Sequence, residues 1–152
     1  MKSCVSMYIF VESQSPYYHL LMMVSSACVQ ERGELSEAEQ LFRRALAFTE
    51  AEYGERHAET AITIDNLAQV LEEKGDFDEA EALFRRALAI AESTLEADNP
   101  SRAIVINNLA LVLESKGQYD EAVGLYRNAL AIFEAALGPE HAYTRDAEVR
   151  PN

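Results

Sequence analysis

The stretch Gly75-Asp-Phe-Asp-Glu-Ala-Glu-Ala-Leu-Phe-Arg-Arg-Ala-Leu-Ala89 decides the fold, because the chain carries it in three versions. It stands first as Gly33-Glu-Leu-Ser-Glu-Ala-Glu-Gln-Leu-Phe-Arg-Arg-Ala-Leu-Ala47 and last as Gly117-Gln-Tyr-Asp-Glu-Ala-Val-Gly-Leu-Tyr-Arg-Asn-Ala-Leu-Ala131, each copy 42 residues from the next. A fixed period of this length marks a repeat architecture, in which each unit buries its apolar face only by stacking on its neighbours. Over the whole period, residues 58–99 and 100–141 agree at about half of their positions. The preceding unit is then 16–57, with Pro16 in phase with Pro100. Glycine follows the same clock: Gly33, Gly75 and Gly117 share one phase, Gly54 and Gly138 another, and Gly124 alone lies outside these turns.

Each unit reads as two helices. Ile64, Leu67, Ala68 and Leu71 have the i, i+3, i+4, i+7 spacing of one buried helical face, and Ile106, Leu109, Ala110 and Leu113 repeat it. The second helix carries Phe77, Ala80, Phe84 and Ala87, echoed by Tyr119, Ala122, Tyr126 and Ala129. Gly75 and Gly117 follow the lysine that ends each first helix, where a left-handed cap without a Cβ is wanted. Asn99-Pro100 supplies an N-cap followed by proline at the first helical position. Small Ala80 and Ala87 among large aromatics imply close helix–helix approach.

Composition agrees. The 152 residues are 49% hydrophobic and 26% charged, as in ordinary folded domains. Asp and Glu number 26 against 13 Lys and Arg, a net charge of −13, which would repel nucleic acid and anionic membranes. Cys4 and Cys28 make no disulfide framework and no metal-binding pair, so a reducing, cytoplasmic setting is expected. The apolar segment Tyr17–Val29 is too short to span a membrane. With Lys2 before it and Ser25-Ser26-Ala27 ahead of Cys28 it imitates a secretory signal, but the start is barely basic and Glu12 interrupts it.

The recurring Leu67-Ala68, Leu71, Gly75, Phe77, Ala80, Phe84 and Ala87, with Leu109-Ala110, Leu113, Gly117, Tyr119, Ala122, Tyr126 and Ala129, resemble the tetratricopeptide repeat. The 42-residue period, Asn66-Leu67-Ala68, Asn107-Asn108-Leu109-Ala110 and Leu137-Gly138-Pro139-Glu140-His141 are similar to the kinesin light chain type. The resemblance implies an all-α fold, a right-handed superhelical solenoid of antiparallel helix pairs. It divides the chain into a tail, 1–15, three repeats over 16–141, and the truncated start of a further helix over 142–152. The first repeat departs from the pattern at Ser25-Ser26, and no polar capping helix is evident at either end, so a longer array or self-association through uncapped ends is expected.

No catalytic constellation is present. His57 and His141 share a phase with Asn99 and read as helix-start residues; His19 has no ligand-type neighbour at metal spacing. Glu55-x-His57-x-Glu59 spans a turn and lacks a second histidine, so neither metal nor other cofactor is expected. Cys28 is in phase with Val70 and Val112 and reads as a buried thiol. The glycines are spent on turns, leaving no phosphate loop. Glu39 to Arg43 and Glu81 to Arg85 are i, i+4 ion pairs on solvated faces.

The candidate site lies on the first helices. Opposite the core stripe, Ile62, Asn66, Gln69 and Glu73 line one face, and the next unit presents Ile104, Asn108, Leu111 and Ser115, with Asp65 and Asn107 flanking. Stacked first helices build the concave wall of such a superhelix. The resemblance implies a peptide in that groove, with Asn66 and Asn108 bonding its backbone, since an amide offers both a donor and an acceptor. Ile62, Ile104 and Leu111 would form pockets. The acidic balance favours a basic or neutral protein or peptide partner over an acidic one. The sequence therefore describes a non-enzymatic interaction module, with a structural, self-assembling fragment or a regulatory piece of a larger protein as the alternative.

Overall fold

The computed structural model describes residues 35–141 and Thr144. The expectations for residues 1–15, for Pro16, His19, Ser25-Ser26, Cys28 and Gly33, and for the segment after His141 other than Thr144 lie outside the described residues. Five helices follow one another: α1 (Leu35–Tyr53), α2 (Ala58–Lys74), α3 (Phe77–Thr94), α4 (Pro100–Ser115) and α5 (Tyr119–Leu137). There is no strand among the described residues. The chain is an all-α helical solenoid, with α2–α3 and α4–α5 as complete pairs and α1 as the second helix of the unit before them.

The helix ends are set by local chemistry. At Gly75 the backbone turns left-handed, φ +88°, so its N–H reaches the Glu72 carbonyl at 2.9 Å and the Asp76 N–H reaches that of Leu71 at 2.8 Å. Gly117 does the same with Glu114 and Leu113 at 2.9 and 2.8 Å. This crossed pair satisfies carbonyls that would otherwise be orphaned, and a side chain there would clash with its own backbone. The expected cap at Asn99 is present: its Oδ1 accepts the Ser101 N–H at 2.9 Å ahead of Pro100. His57 acts likewise, its Nδ1 accepting the Glu59 N–H at 3.2 Å.

Each helix packs on its sequence neighbours, and α2 also touches α4. The second helices α1, α3 and α5 do not pack on one another. Long ion pairs bridge them instead: Arg43 to Glu79 at 2.8 Å, Arg86 to Glu50 at 2.6 Å and Arg85 to Glu121 at 2.9 Å. First helices in contact and second helices spread apart make the α2–α4 side the tighter, inner face of the stack. The seam is filled by Phe84, Leu67, Leu71, Leu109 and Leu113, all essentially inaccessible, with Ala80 and Ala87 fully covered where the helices come closest. α4 buries seven side chains around its circumference because it is enclosed by α3, α5 and α2.

The two turns between units that bracket the stack are tethered identically. Thr60 donates to the Gly54 carbonyl at 2.7 Å, and Thr144 to the Gly138 carbonyl at 2.8 Å. The middle turn differs: Glu96 stands at the glycine phase and Arg102 at the threonine phase. Arg102 lies 3.8 Å from Glu92 through Nη2, while its buried Nε has no hydrogen-bond partner.

Candidate functional site

α2 and α4 start at the same end of the stack, and α3 ends there. Their convergence leaves a cavity of about 270 Å³ on the α2–α4 face. Ala58, Ala61, Ile62 and Asp65 form one wall, Ser101, Ile104 and Val105 the other, and Ala91, Thr94 and Leu95 the floor. The lining is almost wholly apolar because small alanines face the gap from α2 and α3 while β-branched Ile104 and Val105 face it from α4. Ile62 is 47% exposed, a large apolar side chain left uncovered on a folded surface.

Asp65 is the exception in that wall. It is buried, 9% exposed, and accepts hydrogen bonds from two amides. Gln69 Nε2 donates to Oδ2 at 2.7 Å along the same helix. Asn108 Nδ2 reaches across from α4 and donates to Oδ1 and Oδ2 at 3.1 and 3.2 Å. Burial pushes the Asp65 carboxyl above its ordinary value, since desolvation penalises the charged form; the Asn108 and Gln69 amides offset part of this. No cation contributes to its balance.

The structure thus brings Asp65, Gln69 and Asn108 into one network and Ile62, Asp65 and Ile104 into one cavity. At Asn108 the amide nitrogen is held between the two carboxylate oxygens of Asp65, which fixes the orientation of the group. The Asn66 side chain, at the same repeat phase, makes no hydrogen bond among the described residues, and the residue is half-buried. Asn107 and Leu111 are half-buried, and Leu111 packs against the core. Glu73 and Ser115 are exposed at the far ends of their helices, away from the cavity. The floor residues Ala91, Thr94 and Leu95 were missed in the sequence reading because they belong to a second helix. Their one signal was Leu95, in phase with Tyr53 and Leu137 at the end of each such helix.

Outside the cavity the acidic faces carry a repeated pattern. Glu39 pairs with Arg43 at 2.8 Å and with Lys74, and one unit later Glu81 pairs with Arg85 at 2.8 Å and Lys116 at 2.6 Å. Lys116 also meets Asp78 at 2.7 Å. The Lys74 bond holds Glu39 below the usual carboxylate range, and the Lys116 bond does the same for Glu81. No helix among the described residues is long and apolar enough to cross a membrane.

Paired helices stacked at a constant period, with the first helix of each pair on the inner face, define a helical-repeat scaffold. Tetratricopeptide repeat models match residues 21–93 and 102–143, and the chain belongs to that family. In structure its repeats are similar to those of kinesin light chain-like proteins. Among solved structures, BtubC (BKLC) from P. vanneervenii matches 95% of the chain at 22% identity and a TM-score of 0.78. Two structures of the nearly identical TPR-like repeats of a kinesin light chain-type protein from Podosopora anserina match 95% of it. Their identities are 24% and 25%, and their TM-scores 0.77 and 0.75. The chain spans 58% of the first of these proteins and 68–69% of the other two. No curated protein sequence matches the chain.

Proposed function

We propose that the chain is a non-enzymatic protein-interaction module that holds an extended peptide segment across the α2–α4 face. Membership of the tetratricopeptide repeat family supports a protein-interaction role. The observation that carries the binding mode is the cavity between Ile62 and Ile104, an open apolar pocket on the inner side of the stack, lined in part by Asp65, on which the Asn108 amide is held. Such a site suits a peptide: the pocket takes a side chain, while Asn66 and the free Oδ1 of Asn108 meet backbone groups irrespective of sequence. Asn108, fixed by Asp65, presents an acceptor to a peptide N–H. Asn66 keeps both its donor and its acceptor. Gln69 is tied to Asp65 and serves the network, and Leu111, Asn107, Glu73 and Ser115 continue the face beyond the pocket. A basic or neutral segment fits a chain of charge −13, chiefly through faster, salt-sensitive association.

A peptide array probed with the purified full chain, followed by fluorescence anisotropy on the best binders, tests this reading. Asn108→Ala and Ile104→Glu are expected to weaken binding about tenfold or more, while a charge change on the outer face, Glu121→Gln, leaves it unchanged. Binding that survives both groove substitutions would place the contact elsewhere on the molecule.

A further inference from the structure

The cavity between α2 and α4 is an apolar slot holding one uncompensated charge. Its walls are hydrocarbon from Ile62, Leu95, Ile104 and Val105, and Asp65 is the ionisable side chain lining it. The carboxylate is bonded only to amides, which carry no charge to neutralise it. The nearest arginine of α4, Arg102, is turned to Glu92 at 3.8 Å and does not line the slot. Helix dipoles add little: Asp65 lies about two turns into α2 and faces Asn108, as deep in α4, whereas the dipole's influence falls off within the first turn. A carboxylate kept in an apolar slot without a cation is costly unless a ligand brings one.

We propose that the slot reads a lysine of the bound segment, its methylenes lying between Ile62, Leu95, Ile104 and Val105 and its ammonium on Asp65. The assignment rests on the peptide-groove reading and adds the chemistry of one ligand position. Size fits a single side chain: about 270 Å³ falls below the ~300–1,000 Å³ that takes a drug-sized molecule. Lysine matches an apolar wall with a polar end, since its stem packs on hydrocarbon while its head stays charged. The remaining acceptor capacity selects lysine over arginine. Oδ2 already receives Gln69 and Asn108, and Oδ1 receives Asn108 alone. One free position, on Oδ1, suits a compact ammonium; a guanidinium fork wants both oxygens. The chain's charge of −13 draws such a residue toward the face.

The test uses the full chain, labelled with ¹⁵N, titrated with the Nα-acetyl N-methylamides of lysine, norleucine and arginine. The lysine compound is expected to shift the amides of Ile62, Asp65, Leu95 and Ile104, and to bind about tenfold more tightly than norleucine, as one charge-assisted hydrogen bond requires. Asp65→Asn should erase that preference; the comparison of ligands on the unaltered chain stands even if this variant is poorly folded. Norleucine binding as tightly as lysine, shifts confined to other surfaces, or no binding by any of the three would overturn the assignment. Arginine equal to lysine would overturn the single-acceptor argument behind it. Array peptides that need Asn108 but show no lysine preference would leave the groove standing and end this proposal. A lysine-selective slot with no peptide bound anywhere would do the reverse.

Discussion

Asn66 and Asn108 occupy the same phase of successive repeats, yet the structure predicts different costs for removing them. Asn108 Nδ2 donates to both oxygens of Asp65, which is 9% exposed, while the Asn66 side chain makes no hydrogen bond among the described residues. A hydrogen bond to a charged acceptor contributes about 1.5–3 kcal/mol. Asn108→Ala leaves Asp65 with Gln69 as its remaining partner, so most of that is lost. Alanine is the better helix former and returns about 0.5 kcal/mol. The expected net loss is about 1–2.5 kcal/mol in the free protein, with no ligand present. Asn66→Ala forfeits no bond and should stay within about 0.5 kcal/mol of the parent. Urea unfolding followed by far-ultraviolet circular dichroism measures both. Repeating Asn108→Ala in an Asp65→Asn background closes a double-mutant cycle, in which a coupling of about 1 kcal/mol or more is expected. Equal costs for the two asparagines, or additive costs for Asn108 and Asp65, would refute the claim that Asn108 is positioned by the buried carboxylate.

Phe84→Ala should destabilise by about 3–5 kcal/mol, because Phe84 is fully inaccessible among the helices of two units; the same denaturation assay checks it. Gly75→Ala should cost about 1–2 kcal/mol through the positive φ of +88° alone, since the space around a Cβ there is open; a loss confined to the packing of α2 on α3 by hydrogen exchange would accompany it. The acid response should separate Asp65 from Glu81. Asp65 is raised by burial above 3.8, so its contribution is fully favourable below that value and is lost as pH rises through its folded value. Glu81 is lowered below 4.5, first by the Lys116 hydrogen bond, so it stabilises above 4.5 and loses this as pH falls through its folded value. Stability relative to the parent should therefore fall for Asp65→Asn and recover for Glu81→Gln as pH is lowered from neutrality toward about 4, read from urea midpoints.

The helices, their period and their ends are legible in the amino-acid sequence. Ile64, Leu67, Ala68 and Leu71 fix a buried face because the apolar spacing follows the helical turn, and Gly75, Gly117 and Asn99 fix ends because only particular side chains, or none, fit those backbone shapes. The sequence also marks the face of the proposed site, through Ile62, Asn66, Ile104 and Asn108. Which members of that face act together was decided by the tertiary structure. In the sequence Asp65 only flanks that face, yet the offset of α4 along α2 sets it opposite Asn108, 43 residues away and one step out of phase with the repeat. A period compares equivalent positions, so it is blind to a contact between non-equivalent ones. The same holds for Leu95 and Thr94: their own helix pattern says only that they end α3, and their place beneath Ile62 and Ile104 follows from where three helix ends converge. Burial did the rest, since a carboxylate is an ordinary solvated charge in the sequence and becomes a distinctive one only when packing removes its water and supplies no cation.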